Sequence, residues 1–126
     1  MVHLIFCLRR LPHLSRDQFQ RYWREIHAPL VQRHAAALGI RRYVQAHTSA
    51  HPVADAAAGA RQAPEPFDGV AELWFDPDAL AAGAATPAGI AAGRELLADE
   101  QRFIDLPRSP IFVADDLLVI EKTAAG

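Results

Sequence analysis

The chain has 126 residues and a mass of 13.8 kDa, which is the size of one domain with one hydrophobic core. Thirteen basic and fifteen acidic side chains leave a net charge of −2 with a pI near 6.3, which argues against a nucleic-acid footprint. One cysteine excludes an intramolecular disulfide framework and a Cys-based zinc cluster, and no apolar run approaches the ~20 residues of a membrane span.

The start, Met1 to Leu8, lacks the positive flank and small-residue cleavage site of a signal peptide, so the expectation is a reduced, cytoplasmic, globular protein. Alanine supplies 25 residues and arginine 12 of the 13 cations, a bias of composition without repeat periodicity.

Val2 to Leu8 is a nearly continuous apolar run and predicts a strand covered on both faces. Ser15-Arg16-Asp17-Gln18 is a capping box, and Leu14 with Phe19 has the spacing of a hydrophobic staple. Phe19, Trp23, Ile26 and Leu30 then form one apolar stripe of a helix. Pro29 has no N–H for the carbonyl of Glu25, so this helix kinks or restarts there before running to a stop at Gly39. Ile40 to Thr48 predicts a second strand, with Ile40, Arg42, Val44 and Ala46 on one face and Arg41, Tyr43, Gln45 and His47 on the other.

Residues 49–67 read as a long connection without periodicity, a loop or lid. Val70 to Phe75 predicts a third strand. Asp76-Pro77 and Thr86-Pro87 each place proline in the first helical position, predicting a short helix at 77–83 and a longer one from 87 to about 104. Ile90, Leu97 and Ile104 are the expected buried stripe of the latter. Ile111 to Lys122 predicts the last strand, broken only by Asp115 and Asp116.

Strand, helix, strand, strand, helix, strand over a single domain, 1–126, predicts an α+β ferredoxin-like sandwich: a four-stranded antiparallel sheet with helices on one face. The first and last strands are apolar on both sides and helices cover only one, which predicts a homodimer pressed sheet to sheet.

Six histidines stand at positions 3, 13, 27, 34, 47 and 51 without the His-x3-His or mixed spacing of a metal site, and no phosphate-binding glycine loop or nucleophile elbow is present. Cys7 reads as a small hydrophobe within its strand. His27 projects onto the Trp23–Leu30 stripe just before the Pro29 break, where a desolvated imidazole is a candidate general acid or base. Tyr43 and His47 share a strand face and join it if that face meets the helices, with Trp74 as an apolar wall; if it faces a partner they are interface residues. His51 is a lid candidate, and His3 and His13 read as ordinary strand or surface residues.

Phe19-Gln20-Arg21-Tyr22-Trp23-Arg24-Glu25-Ile26-His27-Ala28-Pro29-Leu30 resembles the Phe-x-x-Tyr-Trp…His-x-Pro segment of the EthD family, a branch of the dimeric α/β-barrel superfamily. Arg42-Tyr43-Val44, Ala71-Glu72-Leu73-Trp74-Phe75 and Asp99…Phe103-Ile104-Asp105 continue the resemblance in order. It implies a ferredoxin-like fold, a sheet-to-sheet dimer and a hydrophobic cleft in which histidines or tyrosines move protons without a tightly bound cofactor.

By that resemblance the catalytic candidates are His27, Tyr43 and His47, and the pocket candidates Trp23, Leu30 and Trp74. The activity implied is proton transfer on a small hydrophobic or aromatic metabolite, of isomerase, cyclase, dehydratase or oxidoreductase type as in ether degradation or polyketide chemistry. The alternatives are a non-catalytic ligand-binding or oxygenase-accessory protein, and haem binding.

Overall fold

The protein is described here from a computed structural model covering residues 1–124. Its elements are β1 (Val2–Leu8), α1 (Arg16–Tyr22), a π-turn (Trp23–His27), α2 (Ala28–Leu38), β2 (Ile40–His47), α3 (Pro52–Arg61), β3 (Gly69–Phe75), α4 (Pro77–Ala85), α5 (Pro87–Glu100), a 3-10 turn (Leu106–Arg108) and β4 (Ile111–Ala114). The four strands form one antiparallel sheet in the order β2-β3-β1-β4, the arrangement of the ferredoxin-like sandwich.

The first helix begins as the capping box requires. The Gln18 N–H donates to Ser15 Oγ at 3.1 Å, and the Ser15 N–H to Gln18 Oε1 at 2.9 Å. Pro29 breaks the ladder, but the chain responds before reaching it: the Ala28 N–H donates to the Trp23 carbonyl, five residues back, and one wide turn is inserted. A wider turn rotates the helix beyond it. Ile26, expected on the buried stripe, is exposed, while His27, also placed on that stripe, is buried beside Trp23. The second half of the helix closes at Gly39, whose φ of 74° is the left-handed conformation that a side chain disfavours.

Four other expectations are corrected. Residues 49–67 are not an unstructured lid, because α3 occupies their centre. The His51 ring accepts the Val53 N–H at 3.0 Å, Pro52 takes the first turn and a run of alanines supplies the propensity. None of its residues is buried, so no apolar period marks it.

The stripe of α5 is not Ile90, Leu97 and Ile104: the first two are exposed, and only Ile104, beyond the helix, is buried. Gly89, Ala92, half-buried Leu96 and Asp99 face inward instead, at intervals of three, four and three. That stripe is small because α4 lies almost against it. A Cβ on Gly89 meets the Gly83 carbonyl oxygen at 1.8 Å. Gly89→Ala therefore forfeits the usual helix-propensity gain of about 1 kcal/mol. We expect a net loss of about 1–3 kcal/mol from overpacking, read as a lowered Tm; an unchanged or raised Tm refutes the close approach.

The last strand pairs only from Ile111 to Ala114, because His3↔Ala114 is already near the end of β1. Residues 115–120 run on past the sheet, and Leu117, Leu118, Val119 and Ile120 are 71–85% exposed.

In β2 a bulge at Arg41 lets Ile40 and Arg42 pair with the consecutive residues Phe75 and Trp74. Ile40 therefore joins Tyr43, not Arg42, on the helix-facing side. Leu8, Phe19, Trp23, Ala71, Phe103 and Ile104 form the core under the helices, with Phe19 tilted against Phe103 at a centroid distance of 5.4 Å.

Candidate active site

A cavity of about 230 Å³ lies between the sheet and the helices. β1 contributes Leu4, Phe6 and Leu8 to its wall, and β3 contributes Ala71, Leu73 and Phe75. Alternate residues of these strands line it because a strand's side chains alternate between faces. Its polar groups are few: His27 from the π-turn, Tyr43 from β2 and Glu100 from the last turn of α5.

His27 is 5% exposed and its Nδ1 lies 2.7 Å from Asp99 Oδ2. The other carboxylate oxygen, Oδ1, accepts the Tyr22 hydroxyl at 2.5 Å. An ionised carboxylate only accepts, so Nδ1 carries the proton and Nε2 is left as the basic nitrogen. Burial lowers the His27 pKa from its ordinary value, with the Asp99 hydrogen bond and charge opposing. The imidazole is thus neutral and holds a free lone pair, while a buried carboxylate stands ready to stabilise the imidazolium. Burial also raises the Tyr22 hydroxyl, as does its bond to Asp99.

Tyr43 is held by a second chain of bonds. The Gln45 amide NH2 donates to the Tyr43 hydroxyl at 2.8 Å and to the Trp23 carbonyl at 3.0 Å. Its Oε1 lies 2.8 Å from His47 Nε2, which therefore carries the proton. Because Tyr43 accepts from Gln45, its own O–H is free to donate elsewhere. Burial pushes its pKa up. Glu100 has no hydrogen-bonding or ion-pair partner among the described residues, and burial, then the neighbouring Asp99 charge, raise its pKa to about 7.

The residues singled out by sequence separate into three groups. His27, Tyr43 and Trp23 line the cavity together. His47 lies behind Trp23, ring centroids 4.4 Å apart, with its Nδ1 buried and unpartnered; Leu30 is buried without reaching the cavity wall. Trp74 is on the opposite face of the sheet, so it is no wall of this cleft. It stacks on His3 at 4.3 Å and lies under the Arg42 guanidinium at 4.6 Å. On that face His3 Nδ1 is 2.8 Å from Asp116 and Nε2 is 3.0 Å from Glu72.

Residue type alone does not single out Asp99, Glu100, Tyr22 or Gln45 as parts of the site. The available signals are the family resemblance, whose segments contain Tyr22 and Asp99, and an acidic residue at an inward position of α5, three after Leu96.

The EthD domain profile matches residues 11–107. The chain belongs to the EthD family. No curated protein matches its sequence.

Among solved structures, an EthD-family protein of Bacillus halodurans superposes with a TM-score of 0.57 at 18% identity, over 93% of this chain and all of the other. HapK of Hahella chejuensis gives 0.56 at 15% identity over 98% and 99%. A dimeric protein of ferredoxin-like fold from Bacteroides fragilis gives 0.54 at 12% identity over 91% and 95%. At these identities the likeness is one of fold. No described helix of this EthD chain is long and apolar enough to cross a membrane.

Proposed function

We propose that this EthD-family protein is a small homodimeric enzyme that moves a proton at an activated carbon of a compact, hydrophobic or aromatic metabolite. His27 is the base and Tyr43 hydrogen-bonds the oxygen on which charge develops. The observation that carries the reading is the His27–Asp99 pair: it fixes the ring so that a neutral, basic Nε2 is the nitrogen left over in an apolar cavity. Isomerisation, cyclisation, dehydration and oxygenation of an enolised substrate share this step. The cavity is smaller than the ~300–1,000 Å³ of drug-sized sites, which favours a mono- or bicyclic substrate.

The dimer rests on surface. The single chain exposes 8639 Å², about 2,000 Å² more than size scaling gives for a compact chain of this mass. Ile5, Cys7, Val44 and Val70, on strand positions facing away from the cavity, are only half-buried. The dimeric Bacteroides fragilis neighbour shares the fold. Light scattering is expected to return twice the chain mass.

The chemistry is tested with 2-tetralone, a neutral bicyclic ketone with acidic α-hydrogens, by following deuterium exchange from D2O in NMR spectra. The wild type is expected to accelerate exchange, and His27→Ala to lose about 10²–10⁴-fold of that acceleration. Equal rates overturn His27 as base. Binding of the ketone with no acceleration in the wild type favours a carrier or oxygenase-accessory role.

A further inference from the structure

We propose that the Glu100 carboxyl is the acid partner of His27, donating its proton to the ligand oxygen, and that the cavity therefore takes neutral ketones and their enols rather than carboxylates or phosphates. In its catalytic half this rests on the proton-transfer reading above; in its ligand class it stands on the cavity alone.

The groups facing the cavity set its preference. Glu100 reaches it from the end of α5, His27 from the π-turn and Tyr43 from β2, while β1, β3 and β4 present only apolar side chains there. No arginine or lysine lines the wall. The charges nearby but off the wall are Asp99, which is occupied by His27 and Tyr22, and Arg102, whose guanidinium acts on the Tyr22 hydroxyl. A ligand anion entering this space would lose its hydration and meet no cation on the wall, a cost that isolated buried charges do not recover. A carbonyl oxygen needs only hydrogen-bond donors, and two are available: Tyr43 O–H and a protonated Glu100.

The two donors differ in what they can release. Burial raises the tyrosine above an already weak acidity, so it holds its proton. A carboxylic acid titrating at about 7 is matched to giving one up and taking it back.

The proton balance is simple. His27 Nε2 takes the α-hydrogen as the C–H bond breaks, the electron pair moves to form the C=C bond, and the oxygen receives the Glu100 proton. The product is an enol, beside an imidazolium and a carboxylate whose charges cancel. Where the enol is conjugated to a second C=C bond, delivery of the His27 proton to the far carbon of the dienol, with the hydroxyl proton returning to the Glu100 carboxylate as C=O re-forms, isomerises the substrate, and no outside reagent is consumed.

A ketone accepts hydrogen bonds but cannot donate one, so its binding reports the protonated form of Glu100. We expect wild-type affinity for 2-tetralone, followed by quenching of tryptophan fluorescence, to be level below neutrality. It should then fall about tenfold per pH unit above it until the Glu100-dependent part is lost. Glu100→Gln keeps a donor that does not titrate, so its binding should be flat from pH 6 to 9. Glu100→Met keeps the volume without a donor and should bind weakly at every pH.

2-Naphthoate, an anion of similar size, should bind the wild type at least tenfold more weakly than the ketone. A wild-type pH dependence retained in Glu100→Gln overturns the proposal, as does naphthoate binding that equals ketone binding. The deuterium-exchange assay separates the two readings. Exchange that persists while Glu100→Gln leaves the binding profile unchanged removes Glu100 and spares His27. A Glu100-dependent profile without exchange removes proton transfer and leaves the ligand class standing.

Discussion

Asp99→Asn is expected to leave the protein folded and to slow His27-dependent exchange on the order of 10²–10⁴-fold, the range a positioned general base contributes, because the buried carboxylate that orients the imidazole is neutralised. The asparagine oxygen can still accept from His27 Nδ1 while its NH2 faces the Tyr22 oxygen. What is removed is the charge that stabilises the imidazolium formed as the proton arrives.

The same change acts on Glu100. The Asp99 charge is the second cause of that group's elevation, after burial, so the high-pH limb of the activity should move to lower pH. Asp99→Leu separates catalysis from architecture. It leaves the buried His27 N–H without an acceptor, at about 1–3 kcal/mol, and removes the acceptor of the half-buried Tyr22 O–H. A clear fall in the urea midpoint should accompany the loss of activity. An Asp99→Asn protein exchanging deuterium at the wild-type rate would show that the pair is only packing.

Trp23→Ala should cost about 3–5 kcal/mol of stability, the range for emptying a buried tryptophan site. The indole is 1% exposed and touches three parts of the structure. It is tilted against Phe19 at 5.8 Å, lies over His47, and its ring edge fills the space where a side chain on Gly69 would stand. Its carbonyl also accepts both the Gln45 amide and the π-bond from Ala28, so the ring and the backbone of one residue tie the turn to β2. The denaturation midpoint should fall with little change in slope, as for a native-state defect. A loss below about 1 kcal/mol would mean that the neighbours refill the space, contrary to the close packing of interiors.

The architecture was legible wherever pattern and local chemistry agreed. Ser15 and Gln18 make the cap they promised, Pro77 and Pro87 open helices, and the strands occur in the anticipated order. His27 reached the cavity for a reason only partly visible. Pro29 announces a break, but the backbone resolves it as an inserted wide turn that puts Ile26 outside and His27 inside, a choice that depends on what packs there.

α3 is hidden in the sequence because its alanines carry propensity without an apolar side to reveal a period. The α5 stripe is hidden because contact with α4 demands smallness, and glycine and alanine do not register as core on a hydrophobic scale. The roles of Asp99, visible only as part of the family resemblance, and of Glu100 are hidden for a related cause. Adjacent acids near a helix end look solvated until the tertiary fold buries one and turns the other into an apolar hollow. Trp74 was misplaced by a single alternation, since neighbours on a strand point to opposite faces.

The final segment shows how a folded chain manages its own stickiness. Ile111 to Ile120 is β-prone and almost wholly apolar, and it begins on the edge of a sheet, where unpaired backbone groups invite another strand. Left uninterrupted, such a stretch is a template for open-ended ladders. Asp115 and Asp116 stand at its middle as gatekeepers, one of them drawn back to His3. Stacking copies of this segment in register would bring these charges together at every rung, so an endless array is penalised while a single closed pairing is not. The two aspartates thereby limit how many chains this edge can recruit, without weakening the strand that lines the cavity.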